Sequence, residues 1–183
     1  MVIKMAHQRK APGSRLRDAT RLALAGVLAT ILSLGAGPAR ASADHVSTLD
    51  AATHRMTVTD HGRTVMTFTV SFGKPGFRTP SGTYHVLGKD AVTKMTSCSA
   101  KITCDPRSPN YYALTVHWAV RLTSGGVFVH AAPWNHAIGR ADISHGCIHL
   151  STADAHRFYD FSRIGDTVIV KNTGGHAGSP SGP

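Results

Sequence analysis

Cys147 stands in the run Ile143-Ser144-His145-Gly146-Cys147-Ile148-His149-Leu150-Ser151, with a histidine two residues to either side. Earlier in the chain the apolar run Val127-Phe128-Val129-His130 ends in a third histidine. A thiol is a strong nucleophile only as the thiolate, so it needs a base beside it and hydrogen-bond donors near the reacting oxygen. The histidines offer the base. Gly146, lacking a Cβ, lets main-chain N–H groups approach a developing oxyanion. If the segment is extended, His145, Cys147 and His149 share one side.

Three chemistries compete for these residues. Cys147 could be an inert buried thiol, as most interior cysteines are. The flush glycine and a helix start four residues on argue otherwise, because amide donors and the positive end of a helix dipole both favour an anion. A zinc site from His130, His145, Cys147 and His149 has suitable ligand types. Its H-x-C-x-H spacing is too tight for convergence on one ion, and the chain contains no H-E-x-x-H, no C-x-x-C and no glutamate. The third chemistry is acyl transfer by a Cys/His pair.

The elements that must position these residues read as mostly β. Arg55–Thr59 leads into the turn Asp60-His61-Gly62-Arg63, and Val65–Phe72 returns with Met66, Phe68, Val70 and Phe72 on one face. The loop Gly73–Gly82 carries two prolines and three glycines and leads to a strand at Tyr84–Leu87. Residues 89–110 read as a polar insertion. Leu114, Val116, Trp118, Val120 and Leu122 alternate on one strand, Ser124-Gly125-Gly126 turns the chain, and Val127–His130 forms a short buried strand. Ser151 reads as a helix N-cap with Asp154 at N3, followed by Ala155, Phe158, Tyr159 and Ser162 on one helical face. A last strand spans Thr167–Val170, and 172–183 is a Gly/Ser/Pro tail expected to lack structure.

Ahead of this domain, residues 1–43 have the form of a signal peptide. Lys4, Arg9, Lys10, Arg15, Arg17 and Arg21 precede an apolar run over Leu22–Leu34, and Ala41-Ser42-Ala43 offers a cleavage site before Asp44. The apolar run is glycine-broken and shorter than the roughly 20 residues that span a bilayer, so no stable membrane span is expected after cleavage. No cysteine follows it to carry a lipid anchor. The protein is thus expected to be secreted to the cell envelope. Of the formal charge of +10, the leader carries most, holding seven Lys/Arg against one Asp. The rest shows no basic stripe with interleaved aromatics, which argues against nucleic acid as a partner. Outside the cytoplasm, Cys98 and Cys104 most simply form a small disulfide loop, leaving Cys147 as the odd thiol.

Taken together, Phe128-Val129-His130-Ala131-Ala132-Pro133-Trp134 and Ser144-His145-Gly146-Cys147-Ile148 resemble the signature of the L,D-transpeptidase catalytic-domain family of bacterial cell-wall enzymes, in particular its actinobacterial branch. The similarity spans about residues 45–171 and includes the Thr79-Pro80-Ser81-Gly82 loop. The resemblance implies a single β-sandwich or mixed-sheet catalytic domain over 44–171, mostly β, with one short helix after the cysteine. It implies Cys147 as nucleophile and His130 as general base, held by the carbonyl of Ala131. The amides of His145, Gly146 and Cys147 would form the oxyanion hole, and His145 would shape the pocket or compete as base. Tyr112, Gly125, Gly126 and His149 would border the substrate groove, while Trp118 would lie in the core. The implied partners are peptidoglycan stem peptides and carbapenem-type inhibitors, with no cofactor and no metal, and the protein would act as a monomer. Position 149 departs from the family pattern, which has arginine or asparagine there. No immunoglobulin-like domain precedes the catalytic part, so a minimal version is expected. A wall-binding module without turnover and a zinc peptidase are the alternatives.

Overall fold

The computed structural model describes residues 44–176. The signal peptide expected over 1–43 and the tail residues 177–183 lie outside the described residues. Strands β1 (His45–Asp50), β2 (Arg55–Asp60) and β3 (Arg63–Thr69) form an antiparallel meander. β4 (Pro80–His85) and β9 (Thr167–Lys171) extend the same sheet, with β9 antiparallel to β4 and parallel to β1, and β10 (Gly175–His176) pairs with the outer edge of β4. The six strands are ordered β10-β4-β9-β1-β2-β3. A second sheet holds β5 (Gly88–Thr96), β6 (Ala113–Arg121), β7 (Phe128–Ala131) and β8 (Ile148–Leu150) in sequence order, the last pair parallel. The fold is mostly β, with two mixed sheets and one short helix, α1 (Thr152–Phe161), directly after the cysteine segment.

Both sheets and α1 feed one core. Leu49, Met56, Val58, Phe68, Val70 and Phe72 from the first sheet and its exit meet Val120, Val129, Ile148 and Leu150 from the second, closed by Phe158 of the helix. The alternation of Phe68, Val70 and Phe72 is what the pleat requires of a strand with one buried face. Ser151 caps α1 as its sequence predicts, its Oγ accepting from the Asp154 amide at 3.1 Å. Among the described residues no helix is long and apolar enough to cross a membrane.

Four features differ from the sequence reading. β4 begins at Pro80, four residues early, because a first strand position tolerates the missing N–H of proline. The polar stretch after Gly88 is a nine-residue strand, β5. It lies at a sheet edge, where an exposed charged side chain such as Lys94 protects against stray pairing. Trp118 has φ 56°, and the alternation of β6 breaks there. Val116 and Ala119 join a small cluster with Phe128, Met95 and Cys147, whereas Trp118, Val120 and Leu122 turn to the main core. Finally, order continues past Lys171. β10 pairs with β4, and Asn172 Nδ2 donates to Asp50 Oδ1 at 2.8 Å.

Candidate active site

The parallel pairing of β7 with β8 sets His130 beside His149, with ring centroids 4.9 Å apart in an edge-to-face arrangement. Both strands are buried at every position, consistent with their continuous apolar sequence. The loop that delivers Cys147 is tied to the exit of β3. Ser144 N donates to Phe72 O at 3.2 Å and Lys74 N to Ser144 O at 2.9 Å. Within the loop, Ser144 Oγ donates to Cys147 O at 2.6 Å and accepts from Gly146 N at 3.0 Å. Thr79, fully buried, bridges the two segments: its Oγ1 donates to Gly146 O at 3.0 Å and accepts from Gly73 N at 2.9 Å. Gly146 sits at φ +117°, a conformation that favours glycine.

Cys147, half-buried, opens onto a cleft of about 310 Å³ lined also by Tyr112, His130, Trp134, His145 and His149. An adjoining hollow of about 210 Å³ shares Met95, Tyr112 and Cys147 with it and is bordered by Gly125 and Gly126. The Cys147 thiol donates to Gly126 O at 3.6 Å. Every candidate site residue from the sequence except Ala131 and Gly146 therefore borders one of two connected spaces. Those two act through the main chain: Ala131 O accepts from His130 Nδ1 at 2.8 Å. The Gly146 amide, one of the three expected oxyanion donors, is already partnered by Ser144 Oγ at 3.0 Å. Cys98 and Cys104 are joined as a disulfide in the turn after β5. Neighbouring Ser97 exchanges main-chain and hydroxyl hydrogen bonds with Tyr112, so this loop holds one wall of the cleft.

The two candidate bases are placed differently. With His130 Nδ1–H given to Ala131, Nε2 carries the lone pair. Among the described residues no polar side-chain atom is both buried and unpartnered, so this Nε2 opens to the cleft it lines. His145 instead points Nε2 at Asn110 Oδ1, 3.3 Å away, which also accepts from Lys74 Nζ at 3.2 Å. Its ring packs edge-on against Phe77 and beside Tyr112. Asn110, Lys74 and Phe77 are site residues that no spacing in the sequence marks.

Burial governs the electrostatics. It pushes the Cys147 thiol up to about 11, against a main-chain hydrogen bond involving Phe128 that acts in the other sense. It takes His130 down to about 4 despite the Ala131 carbonyl. His149 falls to about 3 through burial, helped by the neighbouring His130 and His145. His145 is lowered by burial and by Lys74. Tyr112 is raised to about 12, again chiefly by burial. At rest the Cys147 thiol and the His130 imidazole are both neutral, in place of the thiolate that the nearby helix start suggests. Desolvation outweighs the dipole, and β8 separates Cys147 from the first turn of α1. Among the described residues no group of three or more His, Cys, Asp or Glu is arranged to hold a metal ion.

Residues 44–170 match the family profile of the L,D-transpeptidase catalytic domain (YkuD). The chain belongs to this family. L,D-transpeptidase 1 of Mycobacterium tuberculosis is 40% identical over 118 residues, covering 64% of this chain and 46% of that protein. Probable L,D-transpeptidase 3 of the same organism is 47% identical over 102 residues, covering 55% and 37%. The chain thus matches less than half the length of these curated relatives. An L,D-transpeptidase structure from Mycobacterium smegmatis superposes with a TM-score of 0.67 at 41% identity, covering 70% of this chain and 59% of that one. L,D-transpeptidase 3 from Mycobacterium tuberculosis, solved with a faropenem-derived adduct, gives 0.66 at 36% identity, covering 70% and 60%.

Proposed function

We propose that the protein is a secreted peptidoglycan L,D-transpeptidase of the cell envelope, working as a monomer through a Cys147 thioester. The observation that carries this reading is the placement of His130. Its Nδ1–H is fixed on Ala131 O, and its Nε2 lone pair opens into the cleft that Cys147 lines. That is the tautomer a general base requires. The penem adduct on a relative of the same fold supports an acylatable thiol at this place.

The reaction begins from the neutral pair. Sγ attacks the carbonyl carbon on the C-terminal side of diaminopimelate in a tetrapeptide stem as His130 Nε2 takes the thiol proton. The tetrahedral oxyanion accepts from the His145 and Cys147 amides. Its collapse breaks the C–N bond, and the imidazolium returns the proton to the departing D-alanine amine. The resulting thioester is attacked by an amine of a second stem, which loses its proton to His130 as the thiol is restored. Water in place of the amine gives L,D-carboxypeptidase activity. Carbapenems acylate the same sulfur. Tyr112 and the Gly125-Gly126 turn border the space the stems occupy.

Purified disaccharide-tetrapeptide incubated with the protein and resolved by mass tests this. Cross-linked dimers that have lost one D-alanine, or monomeric tripeptides, are expected. Unchanged tetrapeptide would instead point to a wall-binding module without turnover.

A further inference from the structure

The cleft holds a buried imidazole that the transfer steps above do not use, and its surroundings decide what it can do. Asn135, buried, lies behind His149. Its Oδ1 accepts from Ala137 N at 2.9 Å, and its Nδ2 faces His149 Nδ1 at 3.0 Å. Turning the amide over would leave the Ala137 N–H without an acceptor, so Nδ2 is the donor and His149 Nδ1 carries the lone pair. The ring proton therefore sits on Nε2. Protonating the ring would set an N–H against an NH2, and its only lone pair is already engaged. His149 is thus held neutral and cannot take the thiol proton. Its Nε2–H has no partner within the protein, yet no polar side-chain atom among the described residues is buried without one. This N–H must open to the cleft whose wall the ring forms.

We infer that His149 is a tautomer-locked hydrogen-bond donor to the bound peptide, with Asn135 as its positioning residue; the ligand rests on the transpeptidase reading above. The recognised group is an uncharged amide carbonyl. The residues lining this cleft include no lysine or arginine, so a carboxylate placed against His149 would lie there without a permanent countercharge. The titratable groups that share the cleft with the ring are His130 on β7, His145 and Cys147 on the loop entering β8, and Tyr112 just ahead of β6. None is a carboxylate that could stabilise a cation.

Imidazole nitrogen spectra of the 15N-labelled protein test the lock without substrate, His149→Gln supplying the assignment. From pH 5 to 8 the His149 ring should show a neutral pattern with the proton on Nε2, and Asn135→Asp should convert it to the Nδ1–H or cationic form. A cation at pH 6, or an Nδ1 proton in the wild type, would overturn the lock even in an active enzyme. Turnover of disaccharide-tetrapeptide then tests the donor role. His149→Gln, which keeps an N–H at similar reach, should stay within about threefold of wild type in kcat/KM. His149→Leu should lose about tenfold, as one neutral hydrogen bond implies. Equal losses in the two variants would refute the donor role. An inactive wild type would remove the peptide as ligand while the nitrogen spectra still decide the lock.

Discussion

Replacing Thr79 by valine removes one oxygen atom and keeps the shape of the side chain, yet it should disturb both stability and the nucleophile loop. Thr79 Oγ1 satisfies two buried main-chain groups at once, Gly73 N–H at 2.9 Å and Gly146 C=O at 3.0 Å. A buried polar group left without a partner costs roughly 1–3 kcal/mol. Two such groups give about 2–4 kcal/mol if the main chain relaxes in part. For a domain of this size each kcal/mol corresponds to roughly 3–5 °C in Tm. Thr79→Val should therefore lower Tm by about 6–20 °C. Thr79→Ser keeps the hydroxyl and loses one methyl, about 1 kcal/mol. Carbapenem acylation of Thr79→Val, measured well below its Tm, should also slow, because the Gly146 carbonyl anchors the peptide units that present the Cys147 amide. Thermal unfolding of the three proteins is the assay. Valine within about 0.5 kcal/mol of wild type, or serine as damaging as valine, would refute the reasoning.

Three further outcomes follow from the same site. A Cβ at Gly73 would run into the Phe77 carbonyl oxygen and press on Thr79 N at 2.8 Å, both main-chain atoms, so Gly73→Ala should cost well over about 2 kcal/mol by chemical unfolding. His130 and His149 have folded values of about 4 and about 3 against an ordinary 6.5, so the unfolded chain binds more protons below pH 6.5. Stability is complete above that pH and should fall on acidification by roughly 1.4 kcal/mol per pH unit per ring, down to about pH 4 for His130. Denaturant midpoints between pH 4 and 8 read this directly, and His149→Gln should make the slope shallower by one ring's share. Because the resting pair is neutral, the rate of acylation by a carbapenem should be flat from about pH 5.5 to 9; a step near pH 6.5 would indicate a thiolate–imidazolium pair instead.

Much of the fold and the core of the site were legible in the chain because they rest on local patterns. The Met66–Phe72 alternation, the Ser151 cap and the buried run ending in His130 are each dictated by a period or a cap that a sequence displays. The pairing of His130 with the cysteine segment was legible through family resemblance, since residues this far apart meet only through the parallel register of β7 and β8. What stayed hidden depends on tertiary placement. β5 is polar because it lies at an edge, which its composition disguises as a loop. Trp118 reverses the faces of β6 through one φ angle with no residue signal, tryptophan being an unusual host for φ 56°. Asn110 and Asn135 matter through single hydrogen bonds to His145 and His149, and an asparagine in a loop carries no such mark. The neutral resting pair was hidden for the same reason. The sequence shows a helix start near the thiol, but only the packed structure shows how much water is excluded from it.

The central claim is that Cys147, activated by His130 within the cleft, forms an acyl-enzyme. Intact-protein mass after exposure to imipenem tests it most directly, on wild type, Cys147→Ala and His130→Gln. One covalent adduct on wild type, none on Cys147→Ala and a greatly slowed adduct on His130→Gln are predicted. An unmodified wild type, or an adduct that persists without the Cys147 sulfur, would contradict the account.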